Sequence, residues 1–167
     1  MKSIAIIYGS STENTKEAAN MIADQLADYS PTIVDMYDAD PTAFELHDIL
    51  ILGASTWGVH DLQDDWADFY NELLDLDLSN KTVALFGLGD SFTYPDAFVD
   101  AMGILYEGLK DKGCKIIGQV SPEGYQFDYS RALVDDMFVG LPLDFENDAE
   151  LTEERITKWV NSLKVQF

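Results

Sequence analysis

The chain is short of positive charge, of cysteine, of histidine and of long apolar runs, and each shortage removes a class of function. Ten lysines and arginines stand against 31 aspartates and glutamates, a formal net charge of -21. A polyanion of this kind cannot neutralise phosphates, which excludes nucleic acid as a partner. The single cysteine, Cys114, excludes an internal disulfide and a cysteine-rich metal site, and suits a reducing compartment. The longest strongly apolar run, residues 49–54, is far too short to cross a bilayer. Met1-Lys2-Ser3 leads into an apolar stretch of only five residues, 4–8, too brief for the core of a signal peptide. The only histidines, His47 and His60, have no obvious Ser–Asp partnership, so a nucleophilic hydrolase is poorly supported. His47 reads as a surface residue. The expectation is a cytoplasmic monomer, one domain over residues 1–167, with no membrane among its partners.

What is present is equally uneven. Between Lys16 and Lys81 there is no basic residue, yet fifteen acids fall there, Asp61, Asp64, Asp65 and Asp68 among them. Two readings stay open: a solvated surface that aids solubility, or an electrostatic docking face for basic partners.

Short apolar runs alternate with helical stripes along the chain. Residues 4–8, 32–35, 49–52, 82–86 and 115–120 read as strands, and the continuously apolar 49–52 as a central parallel strand covered on both faces. Between them Ala18, Ile22, Leu26 and Tyr29 recur at helical spacing, as do Trp66, Phe69, Tyr70, Leu73 and Leu74, and then Phe98, Met102, Leu105 and Leu109. Ile156, Trp159, Val160 and Leu163 form a last stripe, with Thr152 as its expected N-cap. Strand alternating with helix in this way predicts an α/β fold, a doubly wound five-stranded parallel sheet with helices on both faces. Residues 121–137 break the rhythm and 138–141 again look like strand, which predicts an insertion in the fifth strand.

In such sheets ligands bind beyond the carboxyl ends of the strands, where the strand order reverses. Three loops leave those ends: residues 9–15, 55–63 and 87–97. The first carries Ser10, Ser11, Thr12, Glu13, Asn14 and Thr15, four hydroxyls and an amide between a strand and a helix start. Hydroxyls and free backbone N–H groups there bind a phosphate without a formal cation. Simple N-capping needs only one or two such residues. The loop is neither a Walker A sequence nor G-x-G-x-x-G, and Gly87-Leu88-Gly89 lacks a third glycine. The second loop carries Thr56, Trp57, Gly58 and Val59, the third Gly89, Asp90 and Tyr94, with Val99 following. A tryptophan and a tyrosine on loops at the ligand edge suit a flat, polar ring system.

In this order and spacing the segments 10–15, 56–58 and 89–94 resemble flavodoxin, and the similarity runs the whole chain. The interrupted fifth strand, with Gly124-Tyr125-Gln126-Phe127 and Phe138-Val139-Gly140-Leu141, resembles the long-chain type. The resemblance implies the strand order 2-1-3-4-5 and noncovalently bound FMN. It also implies a low-potential one-electron carrier that shuttles between redox proteins through a stabilised neutral semiquinone, with no substrate turnover of its own. By the same resemblance Ser10, Ser11, Thr12, Asn14 and Thr15 match the phosphate loop, and Trp57 and Tyr94 flank the isoalloxazine. Asp90 and the backbone of Gly89 match the edge holding the pyrimidine end, and Gly58–Val59 the peptide that turns over on reduction. The implied donor is of the ferredoxin/flavodoxin-NADP reductase type, with a basic docking face; the acceptor is unknown. Glu13 departs from the pattern, standing where the family usually has glycine; at a positive φ it adds strain, and its charge opposes a phosphate.

Receiver domains of the same topology require acids where this chain has Tyr8-Gly9 and Gly53-Ala54 at its strand ends, which rejects them. Two alternatives remain, an FMN-dependent NAD(P)H:quinone oxidoreductase and a flavin-free interaction module. Stacking by both Trp57 and Tyr94 would block the second substrate of the former, and loss of FMN binding through Glu13 would favour the latter. The insertion is expected to serve partner contacts more than FMN, against the simpler reading of a stabilising flap. By the resemblance Glu146 matches an Asp position near the ribityl chain in some relatives, and it is left unassigned; His60, next to the Trp57 loop, is a candidate to titrate near the flavin.

Overall fold

The computed structural model describes residues 1–57 and 61–167, with Trp57 described through its backbone alone. The parallel sheet is built from β1 (Ile4–Gly9), β2 (Thr32–Asp35), β3 (Ile49–Trp57), β5 (Thr82–Leu88) and β6 (Lys115–Ile117), in the order β2-β1-β3-β5-β6. This is the expected 2-1-3-4-5, since β4 (Asp61–Leu62) is only a short antiparallel partner of β3.

Strand periodicity decides where the helices pack. Successive side chains point to opposite faces. Ile4, Ile6, Ile49, Ile51 and Phe86 therefore meet Ala18 and Ile22 of α1 (Asn14–Gln25) and Ile156, Trp159 and Leu163 of α5 (Thr152–Lys164). Ile7, Leu50, Leu52 and Leu85 face the other way. They meet Phe44 of the short α2 (Pro41–Glu45), Trp66, Phe69 and Leu73 of α3 (Asp64–Asp75), and Met102, Leu105 and Leu109 of α4 (Asp100–Leu109). Tyr70 and Leu74 flank the α3 stripe, with Leu74 42% exposed.

The fifth strand is indeed interrupted, with different bounds. β6 ends at Ile117 and pairs with the first half of β5, Thr82↔Lys115 to Ala84↔Ile117. The strand resumes as β9 (Leu141–Leu143), which pairs with the second half, Phe86↔Leu141 to Leu88↔Leu143. Val120 and the apolar 138–141 segment, expected in the sheet, lie mostly outside it. Met137–Phe138 (β8) pairs antiparallel with Leu133–Val134 (β7), and Val120 bridges Phe138. The reason is packing: Phe138 is fully buried against Phe98, Tyr125 and Phe127, a cluster that pins the insertion onto the start of α4. Backbone bonds add to it, from Asp128 and Tyr129 N–H to the Pro95 carbonyl and from Arg131 N–H to the buried Asp100 carboxylate.

Three helix ends also differ from expectation. α1 stops at Gln25, and Tyr29 belongs to a separate 3-10 turn, Ala27–Tyr29, before Pro31. α4 begins only at Asp100, so Phe98 precedes the helix. Thr152 does not cap α5; it is the first helical residue after a 3-10 turn, Ala149–Leu151, and its hydroxyl is buried without a partner among the described residues.

Candidate functional site

The strand order reverses between β1 and β3, and the carboxyl ends of β1, β3, β5 and β9 open onto one cleft. Its lining is Thr12 and Asn14 from the first loop, Ser55 and Thr56 from the end of β3, and Leu88, Gly89, Asp90, Tyr94 and Ala97 from β5 and its loop. Phe145 and Glu146, after β9, complete it. Six of the residues singled out in the sequence thus share one cavity: Thr12, Asn14, Thr56, Gly89, Asp90 and Tyr94.

The first loop is unusual for what it leaves unmade. Gly9 begins it, because a Cβ there would meet Gln63 Oε1 at 2.2 Å and Trp66 Cδ1 at 2.6 Å. Glu13 is the N-cap of α1 with φ 65°, in the left-handed region, and its side chain caps nothing. The carboxylate is 83% exposed and sits 3.8 Å from Lys16 Nζ. Within the same loop Ser10 Oγ and Thr15 Oγ1 are buried with no hydrogen-bond partner among the described residues, and Thr15 is fully buried. A buried hydroxyl without a partner costs about 1–3 kcal/mol, and two in one loop, unpartnered among the described residues, are free to donate to an acceptor that a ligand brings. A phosphate, which carries only acceptors and negative charge, fits this donor set and the helix dipole. Ser11 and Thr12 are exposed beside them.

The β5–α4 loop is the opposite case. Asp90 Oδ1 accepts from Thr93 N–H at 3.0 Å and from Asn147 Nδ2 at 2.9 Å, and the Asp90 carbonyl accepts from Tyr94 N–H at 2.9 Å. Burial pushes the Asp90 carboxyl up, but the hydrogen bonds from Thr93 and Asn147 more than offset it and hold the group below its ordinary value. Tyr94 lines the cleft with 41% of its surface exposed, a ring presented rather than packed. Phe92 beside it is 84% exposed.

Several expected residues have other placements. Thr56 lines the cleft, but its hydroxyl accepts from Ala101 N–H at 3.1 Å, serving the start of α4. Val99 does not line it. It is fully buried at φ 51° behind Gly89, where an added Cβ would meet Val99 N at 3.0 Å. The Trp57 side chain, Gly58, Val59 and His60 lie outside the described residues. His47 is far from the cleft and only half-buried, with Nδ1 3.0 Å from the Ala43 carbonyl.

In the loop after β9, residues 144–147, sequence reasoning named only Glu146, without a role, and missed Asp144 and Asn147. Its signal was the rule already used for the other three, applied to a strand end placed two residues too early. Among the described residues no group of His, Cys, Asp and Glu could hold a metal ion.

Comparison with known proteins agrees with this architecture. Residues 6–159 match the flavodoxin family model. The chain is 44% identical over 169 residues to a flavodoxin of Trichodesmium erythraeum, covering 100% of this chain and 99% of that one. It is 40% identical over 162 residues to flavodoxin 2 of Escherichia coli, covering 96% and 94%. Among solved structures, Fusobacterium nucleatum flavodoxin bound to flavin mononucleotide superposes with a TM-score of 0.96 at 29% identity, covering 100% of this chain and 99% of that one. From its full-length match to the family model and to these relatives, the chain belongs to the flavodoxin family.

Proposed function

We propose that the chain is a low-potential one-electron carrier that holds FMN noncovalently in the cleft and passes electrons between redox proteins, without turnover of its own. The observation that carries this reading is the pair of buried hydroxyls of Ser10 and Thr15 in the loop entering α1, unpartnered among the described residues, next to a cleft that presents the Tyr94 ring. Ser10, Thr15 and the backbone of residues 11–14 would hold the phosphate. Glu13 would contribute through its backbone alone, its carboxylate being turned to solvent. Gly89, Asp90 and Tyr94 would lie on one side of the ring and Thr56–Val59 on the other, with the roles of Trp57, Gly58 and Val59 resting on the family resemblance. Val99 would act from behind Gly89. Bound FMN supplies reversible one-electron chemistry; the chain's part is to orient the ring, exclude water from its faces and surround it with carboxylates that disfavour added negative charge.

The same carboxylates suit redox partners with basic docking faces, such as a reductase of the ferredoxin/flavodoxin-NADP type. No helix among the described residues is long and apolar enough to cross a membrane; a cytoplasmic monomer is part of the proposal. The quinone oxidoreductase reading is not favoured by these relatives, all flavodoxins.

Titration with FMN is expected to give uptake of one FMN per chain with quenched flavin fluorescence, and stepwise reduction two separated one-electron steps. Tyr94→Ala is expected to weaken binding by roughly 1–3 kcal/mol, as for other ring–aromatic stacks. A single two-electron step, with steady NAD(P)H oxidation by the isolated protein, would turn the reading into the oxidoreductase. No uptake at all would turn it into the interaction module.

A further inference from the structure

We propose that Asp144 is the positioning residue of the Tyr94 wall, an inference that rests on the FMN reading of the cleft. Asp144 follows β9 and is 1% exposed. No lysine, arginine or histidine pairs with it among the described residues; hydrogen-bond donors alone hold its charge. Oδ2 accepts from Ser91 N–H at 3.0 Å and Ser91 Oγ at 2.7 Å, and from Asn147 Nδ2 at 2.9 Å. Oδ1 accepts from the N–H groups of Glu146 and Asn147 at 3.1 and 3.0 Å, and from Asn147 Nδ2 at 3.1 Å.

One oxygen therefore grips the β5–α4 loop and the other organises the loop after β9. Asn147 links the two, since its amide also reaches Asp90 Oδ1, which in turn accepts from Thr93 N–H. Two links from Asp144, the backbone that bears Tyr94 is fixed. Charge-assisted bonds are the strong ones, and a buried carboxylate is stable only while its acceptor sites are filled. An amide cannot take its place: the substitution Asp144→Asn turns one of the two oxygens into an NH2 facing N–H donors, so either the Ser91 grip or the 144–147 turn must open.

The test uses Asp144→Asn, with Ser91→Ala as a milder variant that removes one donor and keeps the backbone. In the chain without FMN, amide hydrogen exchange at Ser91, Thr93 and Tyr94 is expected to accelerate at least about tenfold while amides of β1 and β5 keep their protection. With FMN, affinity is expected to fall by roughly tenfold, the loss of one charge-assisted bond, and the visible absorption of the bound flavin to shift as the Tyr94 ring loosens. Should Asp144→Asn fail to fold, Ser91→Ala carries the same signs at smaller size. Unchanged exchange at residues 91–94, or acceleration shared equally by the sheet, would overturn the proposal and leave Asp144 a residue of general stability. An unmutated chain that takes up no FMN would sink the carrier reading instead, and the exchange measurement without FMN would still decide what Asp144 holds in place.

Discussion

The two walls of polar residues at the sheet's carboxyl edge are built on opposite plans. The loop before α1 keeps two buried hydroxyls without partners among the described residues and a cap whose side chain caps nothing. The loop before α4 has its polar groups cross-linked, Asp90 to Thr93 and Asn147, and Ser91 to Asp144. The first is incomplete until something binds; the second is finished beforehand. The difference teaches which part of a ligand each serves. A phosphate brings its own acceptors and can complete a site, whereas a flat ring offers little to hold a loop in place, so its wall must be rigid already.

The largest expected effect comes from breaking the incomplete loop. Thr15→Val removes a hydroxyl with no partner among the described residues while keeping the shape, so the FMN-free chain is expected to be as stable as before or slightly more so. FMN affinity is expected to fall by about 1.5–3 kcal/mol, the worth of a hydrogen bond to a charged group. Riboflavin, which has the ring and no phosphate, separates the walls: Thr15→Val is expected to leave its affinity alone, whereas Tyr94→Ala lowers it. Equal losses for FMN and riboflavin in Thr15→Val would show that the first loop does not read the phosphate.

How much of this was legible in the sequence follows the same division. The sheet was readable because short runs such as Ile49-Leu50-Ile51-Leu52 are apolar throughout, as a strand covered on both faces requires, and alternate with helical stripes. The first loop was readable because its polar residues exceed what capping needs. The end of the fifth strand was not. Phe138-Val139-Gly140-Leu141 has the apolar look of a strand, while the true β9 is Leu141-Pro142-Leu143, whose proline argues against a strand interior. Proline is tolerated here because β9 pairs on one side only, with β5. With the strand end misplaced, Asp144 and Asn147 were hidden, since tertiary pairing and not local pattern puts them beside Ser91. Thr152 misled for a similar reason: a 3-10 turn takes the place of the expected cap.

A smaller effect sharpens the comparison from the first loop's backbone. Glu13 at φ 65° holds a conformation that costs an L-residue roughly 1–2 kcal/mol. Glycine removes that cost and gives back part of it through the freedom of the unfolded chain, about 0.4–1 kcal/mol. Glu13→Gly is therefore expected to raise the melting temperature by about 1–4 °C. The lost contact with Lys16 matters little, both groups being largely in solvent. FMN affinity is expected to rise slightly at low salt, because a negative charge has left the neighbourhood of the phosphate, and the gain to shrink as salt is added. A melting temperature below that of the unmutated chain would show that the left-handed residue is not strained.

The smallest effect distinguishes the walls by acid. Asp90 in the finished wall is held below the ordinary carboxyl value of 3.8 by its hydrogen bonds from Thr93 and Asn147. The folded value is thus lower than the unfolded one, so the contribution of this carboxylate is whole above 3.8 and is lost as the pH falls through the folded value. Asp40, Asp48 and Asp77 are depressed in the same way by neighbouring N–H and hydroxyl donors, so the whole fold is expected to weaken over that same window. The wall-specific part is what matters, and it can be isolated by reading each carboxyl separately. A carboxyl-carbon NMR titration of the FMN-free chain is expected to give Asp90 a midpoint below 3.8. In Asn147→Ala that midpoint is expected to move up while those of Asp40 and Asp77, which Asn147 does not touch, stay where they are. An Asp90 midpoint unmoved by the loss of Asn147 would mean that the bond from Asn147 to Asp90 carries no energy, which leaves the Ser91–Asp144 bonds as the whole of the link between the two loops.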